Sequence, residues 1–317
     1  MGSNYRIIPV GGGGGITPEG EINLIGNGTY SVAQYETANI MFKDYLCFTA
    51  EEANSTIGFS LDPNGTAPNI EYTRDLQTWT TWDFTTITLQ DVGDKIYMRG
   101  ANPTGINYNP NSILPTRSKF TMSGKIAASG DTFTLIDKYG IAGNVVPFGC
   151  FAYLFSGCVA LTSAPKLDWT TLSDYCYANM FNGCTTLADT PELPAIILTA
   201  NCYNGMFRGC TSLVTAPALP ATALAQSCYT NMFVGCTSLP VAPYLPATTL
   251  VDGCYSFMFY NCSSLNEITV EFTNWDSTYT FNWVGGNVPQ SGDFYNNDNA
   301  EIPVGANGIP TGWTEHK

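Results

Sequence analysis

The sequence predicts a mainly β protein: a small antiparallel β-sandwich followed by a solenoid of five 26-residue turns with short helical segments. Three observations carry that expectation. Cys158, Cys184, Cys210, Cys236 and Cys262 recur every 26 residues, as do Cys150 to Cys254 and Phe155 to Phe259, and a fixed period of this size marks stacked repeats. Ahead of them, short alternating apolar runs are separated by turn signals such as D-P-N-G at Asp62, the pattern of a small sheet protein. Within the repeats, Pro165, Pro191, Pro217 and Pro243 disfavour helix for themselves and their predecessors and so mark one extended segment per unit.

Residues 1–43 contain a run of five glycines, Gly11 to Gly15, and then N-G-T-Y-S-V-A-Q-Y-E-T-A-N-I over 27–40. Glycine runs are flexible linkers, so this part reads as a hinged anchor. The 27–40 stretch resembles N-G-T-Y-x-V-x-x-Y-x-x-A-N-V segments of phage tail and structural proteins and of some bacterial surface proteins. Residues 44–117 hold alternating runs at 45–49, 57–61, 70–73, 87–89 and 96–99. The stretches I-E-Y-T-R-D-L-Q-T-W and D-V-G-D-K-I-Y-M-R-G resemble immunoglobulin-like modules that precede repeats in gut bacterial and phage proteins. Residues 118–149 read as a cap, with 120–135 a hairpin covering the first repeat.

Residues 150–272 are the repeats. One unit alone cannot bury enough apolar surface to offset the entropy of ordering it, so neighbours must stack and each residue series must become a column in a shared core. Leu161, Leu187, Leu213, Leu239 and Leu265, with Leu167, Leu193, Leu219 and Leu245 and with Leu172, Leu198, Leu224 and Leu250, are the expected core. The apolar spacing Leu198, Cys202, Tyr203, Met206, Phe207 predicts one or two helical turns there. The last unit, M-F-Y-N-C-S-S-L-N-E-I-T-V over 258–270, resembles the BspA-like leucine-rich repeats of bacterial surface proteins, whose pattern is A-F-x-x-C-x-x-L-x-x-I-x-I-P. The four earlier units carry A-P-x-L or T-P-x-L in place of I-x-I and have one additional residue. The resemblance implies an arc with one short strand per turn. Residues 273–317 should cap the far end through Trp275, Phe281, Trp283 and Trp313.

Twelve basic against twenty-six acidic residues give a formal charge of −14, which disfavours nucleic acid. The eleven cysteines are odd in number, and ten occupy equivalent repeat positions. Equivalent Cβ atoms in stacked turns lie about 4.8 Å apart, beyond the usual disulfide range of about 3.5–4.5 Å, so the expectation is free buried thiols. The only histidine, His316, is penultimate, so no Ser-His-Asp or Cys-His pair is expected. The cysteine spacing lacks metal knuckles, and the acidic stretch over 293–301 lacks EF-hand spacing and reads as a polar loop. No catalytic residue, metal or cofactor is expected. Asp168, Asp174, Asp189, Glu192, Asp252 and Glu267 read as solvated surface, and a glycoside hydrolase built on such carboxylates is the less favoured reading.

Ligand recognition is expected where the repeat varies. The residue between proline and leucine is Lys166, Glu192, Ala218 and Tyr244, with Thr269 in the last unit; a second column is Ser156, Asn182, Arg208, Val234 and Tyr260. Lys166, Glu192, Arg208, Tyr244 and Tyr260 are the candidate binding residues. Trp79, Trp82 and Tyr72 read as packing rather than sugar platforms. The N-terminal sequence lacks the charged-then-apolar pattern of an export signal, and no apolar run is long enough for a membrane helix. The expectation is therefore a non-enzymatic virion fibre or capsid or tail decoration protein, assembled in the host cytoplasm. It would contact virion proteins through residues 1–43, bind a host cell-surface glycan or protein, and form homo-oligomers, without nucleic acid or membrane insertion. The alternative is a bacterial cell-surface adhesin.

Overall fold

The computed structural model describes residues 44–109, 111–112, 114–138, 145–296 and 301–317, with the strands β1 (Glu21–Leu24) and β2 (Gly28–Ser31). The protein is mainly β, with several sheets. It divides into two compact units, Met1–Asp44 and Tyr45–Lys317. In the first, β1 and β2 pair antiparallel, Glu21 opposite Ser31 and Leu24 opposite Gly28. The expected glycine hinge lies outside the described residues.

The second unit begins with β3 (Leu46–Ala50), β4 (Ser55–Ser60), β5 (Ile70–Thr73), β6 (Thr80–Thr81), β7 (Ile87–Leu89) and β8 (Lys95–Gly100). β9 (Lys119–Ser123) and β10 (Ile126–Ser129) follow. Two sheets form, β7-β4-β9 and one in the order β11-β10-β3-β8-β5-β6, whose edge strand β11 (Leu161–Ser163) belongs to the first repeat. Their aromatic side chains meet: Phe120 of β9 lies 5.1 Å from Phe48 of β3 and 5.2 Å from Phe59 of β4, in edge contacts. Edge geometry suits the ring quadrupole.

The expected hairpin over 120–135 is not formed. β9 pairs with β4, β10 pairs with β3, and the 3-10 turn Thr132–Leu135 follows. The chain crosses from one sheet to the other because both strands are apolar toward the shared core: Phe120, Ile126 and Ala128 are buried. β10 still covers the first repeat, pairing parallel with β11.

In the repeats, consecutive units lie against each other through a rule that accounts for the backbone N–H groups of the segment 151–158. Ala152, Leu154, Ser156 and Cys158 donate N–H to the carbonyl three residues earlier, at 2.8–3.1 Å. The residues between them, Phe151, Tyr153, Phe155 and Gly157, donate across to Cys176, Ala178, Met180 and Asn182 of the next unit at 2.7–2.9 Å. This corrects the helical expectation. A left-handed residue falls every fourth position, at Asn201, Gly205 and Gly209 in the unit where helix was expected, so the chain makes serial turns and no helix can propagate. The only helical element among the described residues is the 3-10 turn.

Because each unit repeats this geometry, side chains stack in register. The rings of Phe155, Phe181, Phe207, Phe233 and Phe259 follow one another at 5.5–5.8 Å with interplanar angles of 1–9°. Tyr177, Tyr203, Tyr229 and Tyr255 do the same at 5.9–6.0 Å. Phe120 extends the phenylalanine column below Phe155, at 5.3 Å, and Trp283 closes it above Phe259.

The extended segment is a regular strand only in the last unit, β12 (Glu267–Val270), which lacks proline. Elsewhere proline has no N–H to donate to a ladder. The additional residue is absorbed there: Val241 pairs with Glu267 and Leu245 with Val270, so the offset falls by one between them.

At the C-terminal end, β13 (Asp293–Asn296) pairs parallel with β12, and β14 (Thr314–His316) with β13. The first half of the expected polar loop is thus a strand. Trp283 is fully buried and donates its Nε1–H to the Gly308 carbonyl at 2.9 Å. Trp313 is buried and Trp275 packs on Phe272. Phe281, expected to cover the last turn, is 48% exposed and meets only the edge of Phe257 among the ring contacts.

Candidate binding face of the repeats

The first variable column stands outward. Lys166, Glu192, Ala218 and Tyr244 are exposed, each between a buried proline and a buried leucine, because alternate side chains of an extended segment point to opposite sides. Thr269, their counterpart in β12, is half-buried. Lys166 sits at the junction with the two-sheet region: its N–H donates to the Gly130 carbonyl at 2.8 Å. Tyr244 donates its hydroxyl to Glu271 Oε1 at 2.7 Å, and that hydrogen bond to a carboxylate raises the phenol pKa.

The second column is more varied in exposure. Arg208 is exposed, while Ser156, Asn182, Val234 and Tyr260 are half-buried. Tyr260 contacts the edge of Phe257 at 5.7 Å, and Gly285 and Gly286 lie beside its ring, so part of it serves packing of the last turn. The buried cysteine and leucine of each unit separate the two columns along the chain. Glu271 was not anticipated. The signal was the short last unit, whose reduced offset brings the residue after Val270 alongside Leu245; the Glu271 N–H donates to the Leu245 carbonyl at 3.1 Å.

Beneath this surface the ten repeat cysteines are free and buried, and Cys47 is buried in β3. The sulfhydryls of Cys158, Cys184, Cys210, Cys236 and Cys262 donate to the carbonyls of Phe120, Phe155, Phe181, Phe207 and Phe233 at 3.0–3.2 Å. Burial pushes the thiol pKa of Cys158, Cys210 and Cys262 up to about 12 and that of Cys254 to about 11. A nucleophilic cysteine needs the opposite shift.

Trp82 is buried and donates to the Thr85 carbonyl, and Trp79 lies under the Arg99 guanidinium, 4.0 Å from the ring centroid, so both are packing residues. Arg99 also pairs with Glu71 at 2.7 Å, as does Lys138 at 3.1 Å. Burial alone would raise the Glu71 carboxyl, but hydrogen bonds and charge from these two cations hold it below the usual carboxylate value. Asp168, Asp174, Asp189, Glu192 and Asp252 are exposed; Glu267 is half-buried in β12. Among the described residues, no group of three or more His, Cys, Asp or Glu is placed to hold a metal ion, and no helix is long and apolar enough to cross a membrane.

No protein-family model matches the chain, and comparison with curated proteins and with solved structures gives no match.

Proposed function

We propose that the chain is a non-enzymatic display protein: a BspA-like leucine-rich-repeat solenoid of five turns, capped by an immunoglobulin-like β-sandwich and held on a phage particle through residues 1–43. Its repeats present a recognition surface to a glycan or protein on the host cell. One observation carries this reading. A repeated frame of buried rings, leucines and thiols holds an exposed column whose members differ from unit to unit, Lys166, Glu192, Ala218 and Tyr244. A frame of that kind separates folding from recognition, as in repeat binders. The buried thiols with raised pKa favour a structural role over catalysis. The 27–40 resemblance points to a phage particle as the carrier, and a bacterial surface protein is the alternative carrier.

Expression of the full chain and of a chain starting at Asp44 during infection tests this. The full chain should co-purify with particles and bind host cells. The shorter chain should remain folded and bind cells without entering particles. Normal incorporation of the shorter chain would overturn the anchor, and absence of cell binding by either would overturn the display role.

A further inference from the structure

The exposed column contains one gap. Between Glu192 and Tyr244 stands Ala218, a methyl group where both neighbours project long side chains. Adjacent units joined by backbone hydrogen bonds are spaced about 4.8 Å apart, so the walls stand roughly 10 Å from each other with Ala218 as the floor. The Tyr244 wall is pre-set. Its ring is 51% exposed, yet its hydroxyl is fixed on Glu271 Oε1 at 2.7 Å, which lowers the entropy lost when something packs against it. The opposite wall is the exposed carboxylate of Glu192.

The chemistry of this notch is an aromatic ring with a carboxylate on either side, and carboxylates only accept hydrogen bonds. A pyranose supplies the complement: a face of C–H groups for the ring and hydroxyl donors around its edge. An anionic sugar would instead meet Glu192 and Glu271 on a chain of formal charge −14. We propose that the notch between Glu192 and Tyr244, floored by Ala218, binds an uncharged pyranose residue of a surface glycan. This rests on the display reading above and specifies its ligand class.

Affinity electrophoresis of the full chain through gels containing dextran, galactomannan or mannan, with polygalacturonate and dextran sulfate as anionic probes, tests it. At least one neutral polymer should retard the protein, and neither anionic one should. Ala218→Arg, which fills the notch at an exposed site, and Tyr244→Ala should each weaken retardation about tenfold. Tyr244→Phe, which keeps the ring but frees it from Glu271, should weaken it about threefold. Val92→Ala, at an exposed turn of the two-sheet region outside both columns, should change nothing, and thermal melts should show all four variants folded. Retardation by no neutral polymer, retardation by anionic ones only, or neutral binding undiminished in Ala218→Arg and Tyr244→Ala would each overturn the notch. Host-cell adhesion by the unaltered chain would then still support the display role; its absence would remove both.

Discussion

The stacked repeats and the two-sheet region bury similar aromatic side chains but satisfy their backbones in different ways. In the repeats every inter-unit bond spans nearly the same sequence distance, as from Phe151 to Cys176 and from Phe207 to Met232. In the two-sheet region partners lie at unrelated distances, as where Thr56 pairs with Ser123 and Leu46 with Met98. The first arrangement follows from one local rule applied five times. The second depends on a particular topology, and it supplies the surface on which the first repeat is built. Phe120 donates its N–H to the Leu154 carbonyl and accepts from the Cys158 sulfhydryl, and Ile126 donates to Ala160. The two-sheet region is thus the first layer of the stack.

The largest expected effect comes from separating the two. A chain beginning at Val146 loses those partners and exposes Phe155 and Leu161, so it should be unfolded or aggregated by circular dichroism and sedimentation. A cooperative melt from that piece would break the claim that the sheets nucleate the stack.

Extremes of pH should attack the two regions separately. Ten repeat thiols have folded pKa values raised above an ordinary value near 9. Below pH 9 their burial is unopposed; above it the unfolded thiols ionise and the folded ones do not. Each then removes about 1.4 kcal/mol per pH unit until its folded value is reached, so repeat stability should fall steeply from pH 9 toward the folded values, about 11 for Cys254, about 12 for Cys158 and higher for Cys176. Glu71 has the reverse sign. Its folded pKa is depressed below 4.5, so its contribution is present above that value and lost as pH falls through the folded one. Denaturant melts followed by tyrosine signals should show alkaline loss in the repeats and acid loosening around Trp79. Repeat stability that stays flat to pH 11 would contradict the buried thiol columns.

Core truncation sharpens the comparison within the stack. Phe207 has stacked rings on both sides, so Phe207→Ala should cost about 3–5 kcal/mol in chemical denaturation, while Phe259→Ala, beside the less regular Trp283, should relax further and cost less. The smallest effect isolates the turn geometry. Gly183 has φ of 77° and only ordinary contacts where a Cβ would stand, 3.8 Å from Gly157, so Gly183→Ala should cost about 1–2 kcal/mol from backbone strain alone. Equal costs at Phe207 and Phe259, or a neutral Gly183→Ala, would mean the columns are not in register as described.

These differences also explain what could be read in advance. The 26-residue period exposed the buried Phe, Cys and Leu series, because a core made of columns repeats its composition. The strands over 45–100 were legible from alternation, their partners were not: nothing local in 119–129 tells β9 and β10 to join different sheets. The helical expectation over 198–207 failed for a local reason. Its apolar spacing fits a helix, but Asn201, Gly205 and Gly209 fall every fourth residue at positive φ, and Asn179 and Gly183 or Asn231 and Gly235 repeat the pattern. Of the candidate residues, Lys166, Glu192 and Tyr244 are exposed as their places between proline and leucine implied, and Arg208 is exposed in a column whose other members are half-buried; Tyr260 is drawn into packing by Gly285 and Gly286, a contact that depends on the irregular tail.

The central claim is that repeated units stack into columns whose thiols are reduced and sealed from solvent. Intact-mass measurement after exposure to iodoacetamide without reductant tests it directly. The folded protein should gain almost no carbamidomethyl groups, and the same protein in denaturant should gain one for each of its eleven cysteines. Rapid labelling of several cysteines in the folded protein, or fewer than eleven reactive thiols after unfolding, would contradict it.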